Sequence, residues 1–115
     1  MTNEYTHILD TLFDRIFIIN LDNRPEKWKQ CLDQLAIHNI KNYERFSAIR
    51  PQYSQIPKNY YNKLVFYHFI NDAKYVAGAV GCKLSHHTII KTAKERGYKR
   101  ILILEDDVYF LNKHL

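Results

Sequence analysis

The sequence predicts an α/β fold with a mainly parallel sheet flanked by helices, and three observations carry that prediction. Two runs, "RIFIINL" at 15–21 and "ILIL" at 101–104, are apolar without alternation, the pattern of strands buried on both faces. Stretches with helical spacing of apolar residues separate the strand-like runs. The resulting strand–helix alternation is what builds a parallel sheet between helical layers. At 115 residues the chain has room for one domain.

The elements follow in order. Residues 1–14 read as a lead-in with one short turn at 8–13. The first strand, 15–21, owes its prediction to Ile, Phe and β-branching. Asp22 and Asn23 are N-cap residue types, and Pro25 suits a first helical position. Trp28, Leu32 and Leu35 then recur at four and three residues, a single helical stripe. "YERFSAI", 43–49, is read as the second strand, closing a βαβ unit. Pro51 and Pro57 mark a loop, and 59–72 carries Tyr60, Leu64, Phe66, Tyr67 and Ile70 at helical spacing. Gly78 and Gly81 are expected to bracket the start of a helix over 79–97. Val80, Leu84, His87 and Ile90 form its expected inner face, and Gly97 its stop signal. The last strand is 101–104.

Seventeen Lys and Arg against twelve Asp and Glu leave a net charge of +5. The cations are scattered, so the excess reads as a solvated surface and no nucleic-acid partner is expected. Cys31 and Cys82 fit no metal spacing. Each is expected to be a small buried hydrophobe, and both suit a reducing compartment. With no signal-like opening and no long apolar stretch, the chain is expected to lack a transmembrane segment and to be cytoplasmic.

The residues that carry chemistry cluster at strand ends. "ILIL" runs directly into Glu105, Asp106 and Asp107. In open α/β sheets, ligands bind beyond the carboxyl ends of the strands. If the extended backbone continues, Glu105 and Asp107 share one face, roughly 7 Å apart, with Asp106 on the other. Such a pair suits a hard divalent ion, Mn²⁺ or Mg²⁺, that also borrows oxygens from a phosphate. The plainer reading makes the triplet a polar loop capping a turn. At the first strand's end, Asn20, Leu21, Asp22 and Arg24 combine a strand terminus, a helix N-terminus and a cation, a setting for an anionic ligand. The plainer alternative leaves Asp22 or Asn23 as a cap and Arg24 as a solvated first-turn residue. Ser85 and His86 are neighbours on a helix and diverge, which favours packing, with His86 satisfied by a backbone carbonyl, over a nucleophile–base pair.

"FIINLDNRPEKW", "GAVGCKLSHHTIIKTA" and "ILILEDDV" together resemble glycosyltransferase family 25, which includes bacterial lipooligosaccharide galactosyltransferases and procollagen galactosyltransferases. The resemblance runs from Phe17 to Val108 and is least at 50–76. It implies a GT-A-like, Rossmann-like sheet, with residues 1–115 forming the single, nucleotide-sugar-binding N-terminal half of a transferase domain, apparently truncated. It also implies a metal-dependent, inverting transfer of a hexose, galactose or glucose, from a UDP-sugar to a saccharide or hydroxylysine-type acceptor. Carried over, Asp107 binds the metal, Glu105 lies near the ribose or the metal's water shell, and Asp106 supports the turn. Asn20, Leu21, Asp22 and Arg24 line the nucleotide pocket. Glu at the first position of the triplet is common in the family.

The short tail "VYFLNKHL" offers no general base, which is expected beyond residue 115, and His114 is a poor ligand candidate. The chain alone is therefore expected to bind a uridine nucleotide with Mn²⁺ at most weakly and to transfer no sugar unaided. The alternative is a non-catalytic remnant acting as a binding or assembly module. A homo-oligomer through an exposed sheet edge is also expected.

Overall fold

The computed structural model describes residues 6–52, 54 and 73–111. Its centre is β1 (Arg15–Asn20), hydrogen-bonded in parallel to β2 (Tyr43–Ser47) on one side and β3 (Ile101–Glu105) on the other. Register pairs Asn20 with Ser47 and Ile19 with Glu105, so all three strands end together. Helix α1 (Ile8–Leu12) precedes β1, α2 (Pro25–Ile37) joins β1 to β2, and α3 (Ala73–Glu95) precedes β3. This is the α/β fold the sequence predicts. The expected helix at 59–72, and His114, lie outside the described residues.

The unalternated apolar run is explained by β1's central place. Ile16, Phe17 and Ile18 are all buried, and each such burial stabilises by about 1.5–3 kcal/mol. Ile16 and Ile18 face α2, packing with Cys31, Leu35 and Ile40; Trp28, Leu102 and Leu104 close that layer. Phe17 faces the opposite way, onto Ile89 and Ala93 of α3, with Phe46, Tyr98, Ile101 and Ile103 around it. The sheet is thus sandwiched between helices.

Acids tie down the amino ends of the outer strands. Asp10 accepts hydrogen bonds from the Lys41 and Asn42 amides, and Asp14 from those of Lys99 and Arg100. Those amides hold the Asp14 carboxyl below its ordinary range.

Pro25 opens α2 as expected, but neither Asp22 nor Asn23 caps it. Arg24 is the N-cap and makes no side-chain capping bond, because Asp22 is drawn to β2 instead. The helix ends in a Schellman turn: Asn39, at φ +57°, donates to Ala36, and Ile40 donates to Leu35. Gly97, at φ +79°, ends α3 in the same way and is the stop the sequence indicated.

Helix α3 corrects three expectations. It starts at Ala73, so Gly78 and Gly81 lie within it. Gly81 is there for close approach: a Cβ would stand 2.2 Å from the Ile49 carbonyl oxygen. The buried residues Ala77, Gly81, Ser85, Ile89 and Ala93 recur at every fourth position, and Val80 is buried beside them. Of the expected face, His87 is exposed and Ile90 is 57% exposed. The pattern misleads because the helix packs through small residues that bring its backbone against the sheet. Cys82 is exposed, not buried; Cys31 is buried, and both are free. Among the described residues no helix is long and apolar enough to cross a membrane.

Candidate functional site at the carboxyl ends of the strands

With strand order β2-β1-β3, the chain leaves β1 toward one side and returns as β3 on the other. The carboxyl ends of β1 and β3 therefore flank a topological switch point, where such sheets open a crevice. A cavity of about 160 Å³ lies there. Ile19, Leu21, Glu105 and Asp106 line it from β1 and β3, Ala48 to Arg50 from the end of β2, and Gly78, Cys82 and Ser85 from α3. Among the described residues its charged groups are Arg50, at the end of β2, and the two acids, at the end of β3.

Alternation along β3 explains why Glu105 reaches this cavity. Ile101 and Ile103 face α3, so Glu105 does too. The extended geometry stops there. The Asp106 amide donates to Ile19 at 3.1 Å, and the Val108 amide returns to the Glu105 carbonyl at 3.1 Å, closing a turn. Asp107 consequently lines a second cavity, of about 340 Å³, on the α2 side, with Lys27, Gln30, Asp33 and Gln34. Glu105 and Asp107 do not share a face; the triplet does form the turn of the plainer reading. Asp106 sits between, bordering both cavities.

Asn20 lies behind this turn, 2% exposed, with its side chain fully engaged. Its Nδ2 donates to Asp106 Oδ2 at 2.7 Å and to the Arg24 carbonyl at 3.1 Å. Its Oδ1 accepts from Arg45 Nε at 2.8 Å. Asp22 is held at the surface by Arg45 at 2.6 Å and Ser47 at 2.8 Å, and these bonds lower its pKa. Arg24 pairs with Glu26 at 2.6 Å and is exposed, as the solvated alternative had it; neither Asp22 nor Arg24 borders the switch-point cavity. Of the seven residues singled out in sequence, Leu21, Glu105 and Asp106 line that cavity and Asn20 supports it.

Ser85 is 1% exposed and accepts the Ile49 amide at 2.9 Å, fixing the cavity's third wall. His86 Nδ1 lies 2.8 Å from the Cys82 carbonyl, the packing arrangement expected for it. Partial desolvation by the cavity wall, then the Glu105 charge, raises the pKa of the otherwise exposed Cys82 thiol. Burial, with Asp106 contributing, pushes Cys31 up to about 11, so both thiols stay protonated near neutrality. Among the lining residues outside those seven are Arg50, Ala48 and Ile49. A basic residue just past a strand end and before Pro51 was the available signal.

Glu105 and Asp107 offer the hard oxygen donors that suit Mn²⁺ or Mg²⁺. They face separate cavities, and among the described residues no group of three or more His, Cys, Asp or Glu side chains gathers to hold an ion. Within the switch-point cavity the oxygen donors that fit such an ion are those of Glu105 and Asp106, and a substrate's oxygens would have to complete its shell.

The profile of Glycosyltransferase family 25 (LPS biosynthesis protein) matches residues 13–115. A human protein named inactive glycosyltransferase 25 family member 3 is 28% identical over 107 residues, covering 85% of this chain and 17% of its own length. A Drosophila melanogaster glycosyltransferase 25 family member is 32% identical over 104 residues, 84% of this chain and 16% of its own. The mouse inactive member 3 is 31% identical over 102 residues, 85% and 17%. The chain thus spans about a sixth of the length of these relatives.

Proposed function

The chain belongs to glycosyltransferase family 25, and from that premise we propose that its switch-point cavity is the donor half of a sugar-transfer site, taking the diphosphate end of a nucleotide sugar, UDP-galactose or UDP-glucose. The observation that carries this reading is the meeting of Glu105, Asp106 and Arg50 around one crevice at the ends of β1, β2 and β3. Arg50 has no hydrogen-bond or ion-pair partner among the described residues, so its guanidinium is available to a phosphate. Leu21, Ile19 and Ala48 supply apolar wall for a nucleobase or ribose.

Glu105, with Asp106 beside it in the same cavity, would meet an Mn²⁺ or Mg²⁺ ion brought with the donor, whereas Asp107, the metal ligand the resemblance implied, faces the other cavity. When bound, that ion neutralises charge on the departing nucleoside diphosphate. The chain's own part is to hold the diphosphate against Arg50 and keep the acidic turn in place. An inverting displacement onto a saccharide or hydroxylysine-type hydroxyl is the reaction this arrangement would serve.

Isothermal titration of the chain with UDP, with and without Mn²⁺, tests the reading. Mn²⁺-dependent binding that Glu105→Gln weakens is the expected result. Absence of any Mn²⁺-dependent heat would overturn it and favour the second reading, a non-catalytic binding or assembly module. The names of the human and mouse relatives, both inactive members, support that second reading. Self-association belongs to the proposal as well: β2 and β3 are the outer strands of the described sheet, and outer strands present unpaired backbone groups. Sedimentation across a concentration series reads it directly.

A further inference from the structure

Arg45 lines neither cavity, yet its guanidinium stands at the head of a chain of contacts that ends on the acidic turn. Its Nε donates to Asn20 Oδ1 at 2.8 Å, and its Nη2 to the Asn20 carbonyl at 3.2 Å and Asp22 at 2.6 Å. The guanidinium also lies 6.0 Å over the Trp28 ring, within reach of a cation–π contact. Guanidinium groups only donate, so Oδ1 of Asn20 must face Arg45 and Nδ2 must face away. Facing away from Arg45, Nδ2 meets two acceptors, the Asp106 carboxylate at 2.7 Å and the Arg24 carbonyl at 3.1 Å. With the amide reversed, an oxygen would confront both acceptors and an NH₂ would confront the cation, an arrangement with every contact repulsive.

We infer that Arg45 is a positioning residue for the acidic turn: by setting the orientation of the buried Asn20 amide, it holds Asp106 inward and so directs Glu105 and Asp107 to opposite faces of the sheet. Asp106 is the middle acid, and anchoring it fixes the turn at its centre. Backbone bonds on either side, from the Asp106 amide to the Ile19 carbonyl and from the Val108 amide to the Glu105 carbonyl, complete the hold. The consequence for ligand binding rests on the donor-site reading above; the consequence for the turn does not.

Amide hydrogen exchange on the chain without ligand separates the two. In Arg45→Met, the Asp106 and Val108 amides should exchange about tenfold faster, while those of Phe17 and Ile18 in mid-β1 keep their rates. Arg45→Lys, which keeps a donor but not the fork, should fall between wild type and Arg45→Met, and it serves if the Met variant does not fold. Unchanged exchange at 106 and 108, or an equal acceleration throughout β1, would overturn the inference, the latter marking Arg45 as a general stabiliser. A titration with UDP and Mn²⁺ runs alongside. If the turn loosens and the Mn²⁺-dependent affinity of the wild type falls about tenfold in Arg45→Met, both readings stand. If the turn loosens but the wild type binds no UDP, the role of Arg45 stands and the donor-site reading fails.

Discussion

The ends of β1 and β3 lie side by side and carry similar polar sequences, "NLDNR" and "EDD", but they are used in opposite ways. At the end of β1 the polar groups are spent on the protein itself. Asn20 is buried, Asp22 is bound by Arg45 and Ser47, and Arg24 is paired with Glu26. At the end of β3, Glu105 and Asp107 stay exposed and face cavities. The contrast teaches that a polar strand terminus is not by itself a binding site. One terminus is the scaffold that holds the other, and Asp106, bonded to Asn20, is the joint between them.

The sharpest way to break this comparison is to exchange one residue at each end. Asn20→Leu leaves the Asp106 carboxylate, the Arg24 carbonyl and the Arg45 Nε without their partner. Such a loss should lower stability by about 3 kcal/mol in urea unfolding, since charged groups are among those orphaned. Glu105→Gln, on an exposed side chain, should change stability by less than about 0.5 kcal/mol while weakening Mn²⁺-dependent UDP binding. Equal losses of stability would erase the distinction between scaffold and site.

The end of β2 tests whether the third wall belongs to the scaffold as well. Gly81→Ala places a Cβ 2.2 Å from the Ile49 carbonyl, so α3 must shift away from the cavity, at a cost of about 1–3 kcal/mol. Gly78→Ala, in the same helix with nothing within 4 Å, should instead stabilise by about 0.5–1 kcal/mol. Paired thermal melts read the opposite signs.

The legibility of these regions in sequence follows the same physics. The β1 and β3 strands could be read because burial on both faces demands uninterrupted apolar residues, and Pro25 and Gly97 could be read because their backbone constraints are local. The inner face of α3 could not, since Gly81, Ser85 and Ala93 are buried for their small size and carry no hydrophobic signal. For the same reason Ile90 was expected inside and stands out. At the site, Glu105 and Asp106 were legible as acids after a strand, and a turn was the plainer of two readings; that it closes between Glu105 and Val108 and so separates Asp107 from Glu105 was not legible. The part of Asn20 was visible only as a polar residue at a strand end. That it is buried depends on Arg45 and Asp106, which are 25 and 86 positions away.

Arg50 sharpens the comparison from the ligand's side. It is the cation among the described residues that line the cavity and is exposed, so Arg50→Ala should leave the urea midpoint unchanged. UDP affinity should fall about tenfold, with a weaker dependence on salt, because one charge-assisted contact to phosphate is lost. A variant that binds UDP as well as wild type would move the phosphate contact to another residue.

The smallest expected effect is in acid, and it concerns the scaffold end. The Asp22 pKa is lowered by hydrogen bonds from Arg45 and Ser47, and that of Asp14 by the Lys99 and Arg100 amides. Burial opposes the shift of Glu44, but its bonds to Arg96 and Arg15 outweigh burial and lower it too. A carboxyl whose folded pKa is depressed binds fewer protons folded than unfolded, so its contribution is complete above the unfolded pKa and is lost as pH falls through the folded one. Stability should therefore be flat from neutrality to about pH 5 and decline below about pH 4, near the ordinary carboxyl range. In Asp22→Asn the decline should be shallower than in wild type, because one depressed carboxyl has been removed from the scaffold end. A wild-type slope in that variant would mean that the Arg45–Asp22 pair, exposed as it is, is too well screened to register.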